Sequence, residues 1–110
     1  MHTVSASPAG SIASTSTATL NGAGTLTLAG NNTLKSLTYN GIGGTGAITV
    51  TAGILTLTDT ATAITAVNDN FATTPTLAST LELNGANRTV TTSGLSPNSL
   101  VISGVVQNVL

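Results

Sequence analysis

Apolar residues in this chain alternate with hydroxyl-bearing ones in short runs. Leu26 and Leu28 stand against Thr25 and Thr27, Leu37 and Tyr39 against Ser36 and Thr38, and Ile48 and Val50 against Thr49 and Thr51. Leu55 and Leu57 stand against Thr56 and Thr58, Leu81 and Leu83 flank Glu82, and Leu100 and Ile102 flank Val101. A period of two is that of a half-buried strand, and no run has the 3.6-residue period of a helix. Thr, Val, Ile and Leu suit a pleated surface buried on one side. Asp59 to Val67 is the one ambiguous run, and its β-branched residues argue against helix.

Turn chemistry separates the runs. Asn21-Gly22, Asn40-Gly41 and Asn84-Gly85 are dipeptides that tolerate positive φ. Gly30-Asn31-Asn32, Gly43-Gly44-Thr45-Gly46, Ala52-Gly53 and Ser96-Pro97-Asn98 mark further breaks. Strands therefore begin about every 7 to 11 residues, which two all-β architectures satisfy. One is a short parallel β-solenoid, or β-helix, of about four coils. The other is an antiparallel Ig-like β-sandwich completed by a neighbouring strand. The solenoid is favoured. The unit "GAGTLTLAGNN", "GTGAITVTAG", "GILTLTDTA", "TLELNGANRTV" recurs in degenerate form, its inward residues are uniform in size, and Trp and Cys are absent.

Periodicity begins near Ala18. Residues 1–17 are expected to be a polar extended arm or linker, with residues 3–17 available as a donated strand, and residues 18–110 the β-solenoid repeat domain. The expected core is Leu26, Leu28, Leu37, Ile48, Val50, Leu55, Leu57, Leu81, Leu83, Val90, Leu100 and Ile102. The chain ends on the apolar run "SLVISGVVQNVL" with no capping helix. Repeat proteins need polar caps, so the stack is expected to continue in more chain or in a neighbouring subunit. Met1 to Ser16 lacks the basic and apolar regions of a secretory leader, so a processed chain or part of a longer one is expected.

Composition narrows the function. The 110 residues include five charged ones, Lys35, Arg88, Asp59, Asp69 and Glu82, and 23 Thr. A net charge of -1 gives no field to attract nucleic acid or an anionic membrane. No apolar run is long enough to span a membrane as a helix. Cys is absent, which removes disulfides and the favoured ligand of tight zinc sites. Three carboxylates far apart in sequence do not form a glycosidase pair. His2 has no partner pattern, and no nucleophile elbow or phosphate loop occurs. No enzyme activity, cofactor or metal is expected. Asn68-Asp69-Asn70 supplies too few oxygens for calcium and is expected to form a turn of Asx hydrogen bonds. Asn31-Asn32-Thr33 and Asn87-Arg88-Thr89 are formal glycosylation sequons at expected turns.

The segments "GAGTLTLAGNNTLKSLTYNG" and "GILTLTD" resemble the autotransporter-associated β-strand repeats of large bacterial surface proteins. The repeat core G-x-G-x-L-x-L-x-G-x-N is matched by Gly22, Gly24, Leu26, Leu28, Gly30 and Asn32. The resemblance covers residues 18–58 well and 79–106 loosely. It departs after the Asn-rich turn, where Leu34-Lys35-Ser36 replaces an aromatic-Thr-Gly segment. It implies a right-handed parallel β-helix, secreted or at a bacterial cell surface, with no catalytic residues. The membrane barrel that usually follows such repeats does not occur in this sequence.

A structural role as stalk, fibre or surface-layer segment is therefore expected, with copies of itself or adjoining repeats as partners. The alternative is an adhesin or glycan-binding module, for which Tyr39 and Phe71 are the only aromatics. A minor alternative is ice binding through Thr25/Thr27, Thr49/Thr51, Thr56/Thr58 and Thr89/Thr91. Their irregular sequence spacing does not suggest a common face.

Overall fold

The computed structural model describes residues 2–6, 12–22, 24–41 and 49–109. The turn expected at Gly43-Gly44-Thr45-Gly46 and the core position Ile48 lie outside them. Eleven strands follow one another: β1 His2–Ala6, β2 Thr17–Asn21, β3 Gly24–Leu28, β4 Asn32–Leu34, β5 Ser36–Gly41, β6 Thr49–Leu57, β7 Ile64–Asn68, β8 Thr76–Glu82, β9 Val90–Ser93, β10 Val101–Ile102 and β11 Val106–Gln107. The run from Asp59 to Val67 resolves into a turn and most of β7.

The strands belong to two sheets. The longer has the order β1-β3-β6-β8-β10, with β4 also beside β6 and β11 beside β8; the shorter has the order β2-β5-β7-β9. Every ladder between described strands is parallel. Paired residues lie between 19 positions apart (Thr17 and Ser36) and 27 apart (Thr49 and Thr76). Parallel pairing needs a long return path, which no hairpin supplies. The antiparallel alternative is therefore corrected. Asn21-Gly22 does not fold β2 back onto a neighbour; it passes the chain from the shorter sheet to the longer. Gly22, at φ 63, donates its N–H to the Asn40 carbonyl one circuit on, at 3.1 Å.

The expected arm is also corrected in part. His2–Ala6 pairs residue for residue with Gly24–Leu28, so β1 is the edge strand of the longer sheet in its own chain. Its sequence HTVSA has too little apolar content to be read as a strand from composition.

Parallel register stacks like positions in columns. Inward columns run Leu26, Val50, Leu77, Ile102 and Asn32, Leu55, Leu81, Val106 in the longer sheet. In the shorter sheet Ala18, Leu37, Ile64 and Val90 share a column. Leu26, Leu28, Leu34, Leu37, Tyr39, Val50, Leu55, Leu57, Ile64, Ala66, Leu77 and Leu81 are buried in one cluster. Each Leu or Ile withdrawn from water stabilises the fold by about 1.5–3 kcal/mol. Leu83, Leu100 and Ile102 are partly buried and pack against that cluster. Val90 is corrected: it occupies the inward column but is 42% exposed, because no further strand of that sheet follows β9 among the described residues.

One irregularity shapes the longer sheet. β6 spans both β3 and β4, and its register with β8 shifts between Thr51 and Ile54. The Gly30-Asn31 turn presses on this shift. Gly53 donates to the Gly30 carbonyl at 2.8 Å, and Ile54 N–H donates to Asn31 Oδ1 at 3.0 Å. A Cβ on Gly53 would lie 2.9 Å from both of those oxygens, so only glycine fits.

Candidate functional site: the open end of the two sheets

The inward columns are sealed in the middle of the molecule; a cavity of about 560 Å³ opens at the β2–β3 end, and at the end formed by β9, β10 and β11 the columns finish on exposed side chains. Leu37 and Ile64 are fully buried, yet Val90, the last in their column, is 42% exposed. Leu55 is fully buried and Leu81 nearly so, yet Val106 after them is 53% exposed. Leu95 and Val109 beside these strands are exposed as well. A cavity of about 170 Å³ opens between the columns, lined by Leu57, Ile64, Leu81, Val90, Ile102 and Val106 among others. The outer edges of β9, β10 and β11 carry no strand among the described residues. Unpaired backbone donors and acceptors beside exposed apolar side chains form a template for another strand.

Glu82 ties the last strands to this end. It is 2% exposed and closes the turn that follows β8. Its Oε2 accepts from Asn84 N–H at 2.9 Å. Its Oε1 accepts from the Gln107 side-chain amide at 3.2 Å, and Val109 N–H approaches both oxygens at 3.3 Å. Asn84 and Gly85, at φ 59 and 77, make the turn that aims these donors. A buried carboxylate needs such partners, and here they are the segment that ends the sheet.

Asp59, Asp69, Arg88 and Asn68 are engaged in turns and in contacts between loops. Asp59 Oδ1 accepts from Ala61 N–H and Asp69 Oδ1 from Leu95 N–H. Arg88 donates to the carbonyls of Leu83 and Asp59. Asn68 is the hub of the expected Asx turn: its Oδ1 accepts from Asn70 N–H, and its amide donates to the carbonyls of Asn70, Thr73 and Asn98. It thereby binds the loop after β7 to the loop after β9. The Asx turn is local and legible in the sequence; the bond to the second loop, 30 residues away, has no local signal. Asn31 and Asn87 of the two sequons are exposed. No group of three or more His, Cys, Asp or Glu side chains that could hold a metal occurs among the described residues. No helix among them is long and apolar enough to cross a membrane.

The aromatics separate. Tyr39 is fully buried, its hydroxyl donates to the Thr76 carbonyl at 3.0 Å, and burial pushes its phenol well above the usual tyrosine range. Phe71 is 72% exposed and would have to serve any sugar-stacking surface without Tyr39. The Thr pairs also separate, though not as their spacing suggested. Thr25 and Thr27 stand in register with Thr49 and Thr51, because the paired positions of β3 and β6 lie 24 residues apart. Thr56 lies past the register shift of β6, and Thr91 belongs to the other sheet.

Comparison with family models, curated proteins and solved structures gives no match. The resemblance to the autotransporter repeats therefore stands on the quoted motif alone.

Proposed function

We propose that this chain is a short parallel β-solenoid that serves as a structural module of a stalk, fibre or surface layer, lengthened by strands added at its open end. One observation carries the reading: inward columns that are fully buried at Ile64 and Leu55 end on half-exposed Val90 and Val106. Covering those valines and pairing the free edges of β9 and β11 would make the end like the middle. Strand addition of this kind draws its affinity from main-chain hydrogen bonds and its register from alternate side chains. The charge-poor Thr, Asn and Gly surface supports a place at the cell surface or in secreted material. Electron micrographs and sedimentation of the purified chain across a concentration series test the proposal. Linear particles that lengthen with concentration are expected. A monomer at every concentration, with a melting temperature that rises on adding a glycan, would favour the adhesin instead.

One observation supports a second reading. The backbone register of Thr25 and Thr27 with Thr49 and Thr51 makes two stacked Thr-x-Thr rows, the beginning of a lattice suited to ice. Thr27 and Thr51 are exposed. Thermal hysteresis that disappears in Thr27→Lys would support it; none in the unmodified chain would dismiss it.

A further inference from the structure

The number of strands in each sheet limits how a second copy can continue both. The longer sheet has five strands in line and the shorter has four. Along the chain the sheets alternate, so β1 comes just before β2 and β10 just after β9. If β2 of a second copy pairs with β9, the β1 of that copy falls where β10 already lies. If instead its β1 pairs with β10, β9 and the next β2 stand two strand spacings apart with nothing between them. Only the first arrangement leaves both sheets unbroken, and it requires one strand to leave.

We propose that β1 is an exchangeable strand, displaced from β3 by β10 of a neighbouring copy so that both sheets run continuously from one copy into the next. The inference rests on the end-to-end reading above and names its partner, a second copy of this chain. Register supports the exchange. Thr3 and Val101 occupy one column, and Val4 and Ile102 the next. Replacing β1 by β10 therefore sets Val101 beside Thr25 and Ile102 beside the buried Leu26 of the next copy. The same step brings β11 to β4, whose outer edge carries no strand among the described residues, with Val106 beside Asn32 and Gln107 beside Thr33. In the shorter sheet β9 meets β2, which sets Val90 beside Ala18 and Thr91 beside Thr19. The contact joins unlike ends and continues both sheets along one axis, so it repeats as an open filament and not as a closed dimer.

The chain contains no cysteine, so a pair can be introduced cleanly. In a single copy Thr19 and Thr91 are three strand spacings apart, about 14 Å, too far for a disulfide. Across the proposed junction they are one spacing apart, about 5 Å; with β1 retained they are about 10 Å apart. Oxidising assembled Thr19→Cys/Thr91→Cys protein is expected to give covalent dimers, trimers and longer species. A chain lacking residues 1–6 is expected to assemble at a concentration about tenfold lower, if β1 occupies its edge nine-tenths of the time. Assembly without crosslinks, or assembly weakened in a shortened chain that still melts cooperatively, would overturn the exchange. If the shortened chain does not fold, crosslinking of the full chain decides. Monomers in all variants at every concentration would refute the structural reading itself, along with the exchange that rests on it.

Discussion

Tyr39→Phe removes one hydroxyl from the centre of the core and should reverse its effect on stability between neutral and alkaline pH. The ring is fully buried, and its hydroxyl makes one hydrogen bond across the molecule, 3.0 Å to the Thr76 carbonyl. Losing that bond costs about 1 kcal/mol at neutral pH. Burial raises the phenol above its ordinary value, so the folded state keeps the proton after the unfolded chain has released it. Above a pH of about 10 the unfolded chain binds fewer protons than the folded one, and stability falls with rising pH. The slope from this group approaches about 1.4 kcal/mol per pH unit until the folded-state value is reached. Phe has no such slope. The two stability curves should therefore cross between about pH 10 and 11, with the wild type more stable below and Tyr39→Phe more stable above. Urea unfolding at a series of pH values measures both curves. Tyr39 is the only tyrosine, so tyrosinate absorbance reports its ionisation directly. Parallel curves, or a tyrosine that ionises in the folded chain near its ordinary value, would refute the burial argument.

Four further substitutions test the packing by chemical denaturation and amide exchange. Leu55→Ala, at a fully buried column position, should cost about 2–5 kcal/mol, whereas Val90→Ala, in a column left open, should cost less than about 1 kcal/mol. Gly104→Ala should loosen residues 101–109, because a Cβ there would overlap the Ser79 carbonyl oxygen. Its mark is faster exchange of Leu81 N–H, which donates to the Val105 carbonyl, with Leu37 N–H unchanged. Ser79→Ala should be neutral or stabilise by up to about 1 kcal/mol, since that buried hydroxyl has no hydrogen-bond partner among the described residues and its removal relieves a desolvated polar group.

What was legible in the sequence was local. Leu26, Leu28, Leu37, Leu55 and Leu57 declare their inward face because Thr or Ser sits between them, and all are buried. Pairing partners were not legible, because separations of 19 to 27 residues between paired positions leave no fixed period to read. The same variation hid the alignment of Thr25/Thr27 with Thr49/Thr51. β1 was missed because its pairing with β3 supplies what its own sequence lacks. Val90 was placed in the core by a correct inward position, and exposure followed from a neighbour that the alternation does not encode. Glu82 breaks the alternation at the end of β8, where residues 81 and 82 are both buried. The Asn84-Gly85 turn and the amide of Gln107 satisfy the carboxylate there, and neither contact follows from periodicity.

Amide hydrogen exchange, comparing dilute monomer with assembled protein, tests most directly whether the open strand edges carry the function. New protection is expected in β2, β4, β9 and β11, whose outer edges lie at the ends of the two sheets, with little change in β5 and β7, which are paired on both sides. Assembly that protects other surfaces and leaves the edge strands exchanging as in the monomer would contradict that role of the open edges.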